Sequence, residues 1–128
     1  MSARVQRQPG LYARRDGTEV PARPGRGTSY LVGVDGSLER VDGADLDAVV
    51  DVRVEASYDG VLVVLLGFDD EHAWWRVNGS QLRDELAAVG LEPVGGDRQE
   101  GWQYRVPVDR LSDWRESVTE RTPRGGRP

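Results

Sequence analysis

The sequence predicts a mainly antiparallel, all-β body that carries one short helix and is built of two similar halves. Three observations lead there. First, Val52, Val54, Ala56 and Tyr58 alternate with Asp51, Arg53, Glu55 and Ser57, and a period of two marks a half-buried strand. Asp59-Gly60 follows as a turn in which glycine takes positive φ. The six apolar residues 61–66 then return as a second strand, expected to be buried on both faces. Second, the same order of strand and turn signals occurs earlier in the chain. Third, only residues 81–89 carry a helical period.

The chain in order reads as follows. Residues 1–10 are polar, rich in arginine and glutamine, and end in Pro9-Gly10, the pattern of a mobile tail. Strands are predicted over 11–15 and 18–22 around Asp16-Gly17, over 29–34, and over 38–41 after Asp35-Gly36. Pro24-Gly25-Arg26-Gly27 is a loop. A polar turn spans 42–47, and a fifth strand runs without a breaker from 49 to 58. Ten residues at about 3.3 Å each span about 33 Å, long for one small barrel, so this strand is expected to bend or bulge between two layers.

The second half then repeats the first. A shift of 43 lays Asp59-Gly60 on Asp16-Gly17, Ala56 on Ala13, Val63 on Val20 and Val77 on Val34, with no gap. A shift of 65 continues the match with Arg105-Val106 on Arg40-Val41 and Leu111 on Leu46. Matches in fixed order argue for an internal duplication, with 22 residues inserted after Ser80. In that insertion Ser80 is placed to cap a helix. Leu82, Leu86 and Val89 share one helical face, Gly90 suits the left-handed residue after the last turn, and Pro93 prevents continuation. Gly95-Gly96-Asp97 reads as a loop, Trp102, Tyr104 and Val106 as a strand, and residues 122–128 as a disordered basic tail.

Composition narrows the function classes. A chain of 128 residues suits one domain or two very small ones, and it buries enough surface for a core without staples. There is no cysteine, which excludes disulfides and thiolate metal sites. No apolar run follows Arg4 and Arg7, and none is long enough to span a membrane, so cytoplasmic residence is expected. All 17 cationic side chains are arginine, a composition associated with high-GC bacteria. Five of them lie in the tails, and the remaining 12 face all 22 acids, a body charge of −10. Such a body repels nucleic-acid backbones and attracts basic partners; it also keeps a small protein soluble.

No phosphate loop, nucleophile elbow or triad set is present, so catalysis is not expected, and neither is a cofactor. His72 follows Asp69, Asp70 and Glu71, but consecutive residues in a turn point apart, and a solvated loop is expected rather than a metal site. Trp74 and Trp75 face opposite sides of a strand. Trp75, laid on Val32, is assigned to the core. Trp74, laid on Leu31, is a candidate interface anchor, the competing assignment being that the inserted helix covers it. Trp102 and Trp114 are assigned to the core. Asp42, Asp45, Asp47 and Asp51 form an acidic run that suits a docking surface for a basic partner; ordinary turn-forming aspartates are the competing assignment.

Each half has four or five short strands with a turn before the last, an order that resembles an SH3-like barrel. The duplicated layout is similar to small bacterial proteins of toxin–immunity loci. The residues that carry this resemblance are Tyr58-Asp59-Gly60, the stretch 11–17, Gly43-Ala44-Asp45-Leu46 and Val108-Asp109-Arg110-Leu111. In the first half the tyrosine, Tyr12, stands four residues before Asp16. The resemblance implies two tandem SH3-like barrels, over 11–53 and over 54–120 with a helical insertion at 81–101, between tails at 1–10 and 121–128. The alternative is a single antiparallel sheet or sandwich. It also implies a non-catalytic, cytoplasmic immunity protein that neutralises a cognate toxin domain. The alternative function is a regulatory or scaffold module that binds a cellular protein or peptide. The assigned partner-binding residues are Asp42, Asp45 and Asp47 for steering and Trp74 for anchoring, with no metal and no direct nucleic-acid site.

Overall fold

The computed structural model describes residues 7–24 and 28–121; the outer part of the expected N-terminal tail, the core of the 24–27 loop and the basic tail 122–128 fall outside them. The elements are β1 (Gly10–Arg15), β2 (Thr18–Pro24), β3 (Thr28–Val32), β4 (Leu38–Asp42), β5 (Ala48–Tyr58), β6 (Val61–Val64), β7 (Gly67–Phe68), β8 (His72–Val77), α1 (Ser80–Ala88), β9 (Gly95–Asp97), β10 (Gly101–Pro107) and β11 (Leu111–Arg121). The fold is mainly β with one short helix, and every recorded strand pairing is antiparallel. Contacts divide the chain into two compact units. The first joins Gly10–Val52 to Ser117–Pro128, and the second joins Met1–Pro9 to Arg53–Glu116.

In the first unit the strand order is β11–β5–β1–β2–β3–β4. Asp16 and Gly17 sit at φ 52° and 80°, the two left-handed residues of a type I′ hairpin turn, whose twist matches that of the strands it joins. Ala13 pairs Val20 across this hairpin, and Ala13, Leu31, Val41 and Leu46 form the buried cluster beneath it. A 3₁₀ turn over Gly43–Asp45 precedes β5. The carboxylate of Asp42 closes that turn by accepting from the N–H of Ala44 at 2.9 Å. β3 stops at Val32, short of the expected 34, because Gly33 turns the chain: its N–H donates to the carbonyl of Ser37 at 2.8 Å. Val34 is left fully exposed.

In the second unit residues 55–58 of β5 pair β6 across Asp59-Gly60, with φ 46° and 86°, the same turn again. A separate ladder runs β7–β8–β10–β9. Ala56, Val63 and Leu65 are buried, as are Trp75 and Tyr104, whose rings stack 5.5 Å apart at 7°. A second 3₁₀ turn, Val108–Arg110, precedes β11. The described end of the N-terminal tail is held in this unit. The Gln8 side chain donates to the carbonyl of Phe68 and accepts from its N–H, at 2.6 and 3.1 Å, and Arg7 pairs with Glu116 at 2.9 Å.

The helix differs from expectation at its start. Gly79, not Ser80, is the N-cap, and no side chain caps it. Its end matches: Gly90 has φ 85°, its N–H donates to the carbonyl of Ala87, and that of Leu91 donates to the carbonyl of Leu86, the paired bonds of a Schellman motif. Leu86 is fully buried and Leu82 and Val89 partly so, as their common face predicts. Gly95-Gly96-Asp97, expected as loop, forms β9 by pairing with Gly101–Gln103. Trp102 and Trp114, assigned to the core, are only half-buried. Arg83 lies 4.7 Å over the first ring, and Phe68 meets the second edge-on at 5.2 Å.

Three larger corrections follow from the ladders. Among the described residues neither unit closes into a barrel, since both strand orders are open. The strand after the second Asp-Gly turn is split: β6 pairs β5, whereas β7 pairs β8. Residues 61–66 are not buried on both faces, because Leu62, Val64 and Leu66 are exposed while Val63 and Leu65 are buried. The repeat is not gapless either. Val41 faces Ser29 and Val106 faces Ala73, so β3 and β8 correspond at a shift of 44. One extra residue near Leu65-Leu66 makes the difference. Leu31 therefore corresponds to Trp75, both inward, and the match of Val34 with Val77 is a coincidence of composition: the first is exposed and the second buried.

Candidate functional site

β8 and β10 supply a concave surface in the second unit. Their ladder sets Trp74 opposite Arg105 and Arg76 opposite Gln103. Cross-strand partners share a face, so all four side chains stand on the side away from the buried Trp75–Tyr104 stack. Leu66 and Val94 complete a groove of about 590 Å³. Both are tied in by the backbone: the Leu66 N–H donates to the carbonyl of Trp74 at 2.9 Å, and the Val94 N–H donates to that of Gln103 at 2.7 Å.

Two glycines hold the groove's side chains in place. A Cβ on Gly67 would lie 2.7 Å from Cζ2 of Trp74, so the indole lies flat over the Gly67 backbone, opposite which it is paired. A Cβ on Gly101 would lie 3.0 Å from Cγ and Cδ of Arg76, so the stem of that arginine crosses the start of β10. Side chains lodged in this way lose little further freedom when a ligand arrives. Trp74 keeps 37% of its surface exposed, and no residue of α1 lines the groove.

Two guanidinium groups dominate the electrostatics of the groove. Among the described residues Arg76 and Arg105 have no carboxylate within ion-pair distance, whereas Arg15 and Arg110 each have one and Arg14 has two. Nη2 of Arg105 lies 3.3 Å from Nδ1 of His72, where the guanidinium donates and the ring nitrogen accepts. Asp69 also lines the groove. Its Oδ1 accepts from the N–H groups of His72 and Glu71, at 2.7 and 2.8 Å, and these bonds hold its carboxyl below the usual range. The run 69–72 is thus a tight turn between β7 and β8, and no group of three or more metal-ligating side chains is found among the described residues.

An exposed apolar strip leads into this groove. Leu62 and Leu66 keep 57% and 59% of their surface, with Val64 between them on the same face. Next to the strip, Arg53 pairs with Glu55 at 3.0 Å.

The assigned steering residues lie in the first unit and Trp74 in the second. Asp42 caps the 3₁₀ turn. Asp47 accepts from the Gly17 N–H at 3.4 Å, and its own N–H donates to the carbonyl of Arg14. Asp45 is exposed, and its charge acts on Arg15, whose basicity is raised chiefly by Glu39 and to a smaller degree by Asp16 and Asp45. Asp42 therefore serves its own turn, and Asp47 ties that turn to the β1–β2 hairpin. Sequence reasoning missed Arg76, Gln103 and Arg105. The signal was present as Trp74-x-Arg76 and Gln103-x-Arg105, two outward pairs at strand spacing, but only the β8–β10 register brings them together. No protein-family model, curated protein or solved structure matches the chain.

Proposed function

We propose that this protein is a non-catalytic protein-binding module, an immunity protein that masks a cognate bacterial toxin domain in the cytoplasm. The observation that carries the binding role is the exposed strip of Leu62, Val64 and Leu66 running to Trp74. At a shift of 43 the same outward positions of β2 are Glu19, Pro21 and Arg23, so an outward apolar face is not a requirement of this hairpin. Apolar surface kept exposed beside an aromatic ring and arginines is the composition of a protein interface core. The polar groups in the groove are two guanidiniums, an amide and a carboxylate held ionised, which suit holding a ligand rather than transferring protons at neutral pH. The immunity role is supported by the twice-repeated order of short strands with a 3₁₀ turn before the last. No helix among the described residues is long and apolar enough to cross a membrane.

The test is co-expression with the toxin domain encoded beside its gene, followed by titration calorimetry of the purified pair. Rescue of growth and a stoichiometric complex, weakened by Trp74→Ala, are the expected results. A complex with a cellular protein, and none with any toxin domain, would select the scaffold role instead.

A further inference from the structure

The groove has a chemical preference of its own, opposite in sign to that of the acidic body. Trp74 and Arg105 form one outward cross-strand pair and Arg76 and Gln103 the next, so a flat apolar surface lies between two cations and beside an amide. Neither arginine has a carboxylate within ion-pair distance among the described residues, and the Arg105 charge acts on Asp69 only at longer range, as the smallest of the influences on its carboxyl. The Asp69 carboxylate at the margin is engaged by two backbone N–H groups. Guanidinium recognises carboxylate with two parallel bonds, and Trp74, Leu66 and Val94 offer apolar contact alongside.

Resting on the protein-binding role above, we infer that this groove takes an extended segment of the partner that carries a carboxylate side chain next to an aromatic or aliphatic one. The carboxylate seats between Arg76 and Arg105, its apolar neighbour lies against Trp74 and Leu66, and the Gln103 amide is placed to bond the segment's backbone. A nucleic-acid strand fits less well. The surface leading out of the groove continues as Leu62 and Val64 rather than as cations, and a body of charge −10 opposes a polyanion. The partner is thus expected to present an acidic–apolar segment here even where its overall surface is basic.

The experiment uses the full chain, labelled with ¹⁵N, and three probes: a short capped peptide alternating glutamate with leucine and tryptophan, its lysine counterpart, and a short oligothymidylate. The acidic peptide is expected to shift the Trp74 indole N–H and the Arg76 and Arg105 Nε–H signals. Arg76→Gln and Arg105→Gln should each weaken that binding about tenfold while the rest of the spectrum shows the fold intact. Equal binding of the lysine peptide, tighter binding of the oligothymidylate, shifts confined to another face, or indifference to both arginine variants would overturn the inference. The peptides need no toxin, so loss of this inference with a toxin complex intact would leave the proposed function standing, and the reverse result would leave the groove's preference standing.

Discussion

The hairpin of β1 and β2 and the hairpin of β5 and β6 are built on the same plan and present opposite surfaces. Both turn on Asp-Gly in type I′ geometry, and both bury an alanine completely, Ala13 in one and Ala56 in the other. Inward they hold valine at matching positions, Val20 and Val63. Outward, Glu19, Pro21 and Arg23 stand where Leu62, Val64 and Leu66 stand. The comparison separates what folding requires from what it leaves free. The turn and the inward residues recur because a two-residue I′ loop and a packed face admit few substitutes. The outward residues differ because solvent accepts either kind, and the apolar choice in the second hairpin is therefore evidence about contacts rather than about folding.

The sharpest way to break this comparison is at the inward positions. Val63 is fully buried and Val20 only partly. Val63→Asp should cost on the order of 5 kcal/mol and unfold the second unit, with Val20→Asp costing clearly less. A cooperative melt of Val63→Asp near the parent midpoint would show that the matched positions do not carry the core. The outward positions make the complementary case. The double variant Leu62→Glu, Leu66→Arg, which copies the first hairpin, should change stability by no more than about 0.5 kcal/mol per site yet lower partner affinity about tenfold or more. Calorimetry and denaturant titration on one preparation would show both. Unfolding instead of lost binding would mean that these side chains belong to the fold.

Gly67 tests the groove more locally. Gly67→Ala places a Cβ 2.7 Å from the Trp74 ring and should cost about 1–3 kcal/mol, with a red-shifted indole emission as the ring is displaced. Unchanged emission and binding would remove the role given to the glycine. Tyr104 offers a test by pH. Where the second unit stacks Trp75 on Tyr104, the first sets Leu31 opposite Glu39. Burial pushes the Tyr104 phenol above its ordinary value, so the fold favours the neutral form. That contribution is fully present below about pH 10 and is lost as pH rises through the shifted value. Tyr104→Phe should flatten the alkaline loss of stability measured by denaturant midpoint against pH, and an unchanged profile would place the loss elsewhere. The smallest effect is expected in the first unit. Replacing Asp42, Asp45 and Asp47 by asparagine retains the cap and should slow association with a basic partner by a few-fold while flattening its salt dependence. Stopped-flow rates at two ionic strengths would show it, and salt-independent association of the parent would end the steering assignment.

Much of this was legible before any coordinates. Alternation through Val52–Tyr58, the two Asp-Gly turns and Gly90 at the helix end each follow from local backbone chemistry, which a sequence states directly. What misled was longer-range. A run of six apolar residues says nothing about which face meets solvent, so the sequence of 61–66 predicts burial throughout where the fold exposes every second residue. Trp74 and Leu31 were laid together by a gapless shift, and a single extra residue near Leu66 reverses the faces of every residue after it. The Arg76–Gln103 and Trp74–Arg105 pairs were out of reach for the same reason, since register is a property of two strands and neither strand states it alone.

The closing stretch of β11 has a bearing on how the chain is made. From Ser117 its described residues belong to the first unit, where Arg121 pairs with Asp51 and Glu120 with Arg14 at 3.2 Å. The second unit in turn takes its ion pair between Arg7 and Glu116 from opposite ends of the chain. During synthesis the first hairpin and its buried cluster leave the ribosome well before the strand that covers the edge of β5, since Arg121 follows Asp51 by 70 residues. Until β11 arrives that edge stays open to other chains, so misassembly should fall as the stretch between the two strands is translated faster.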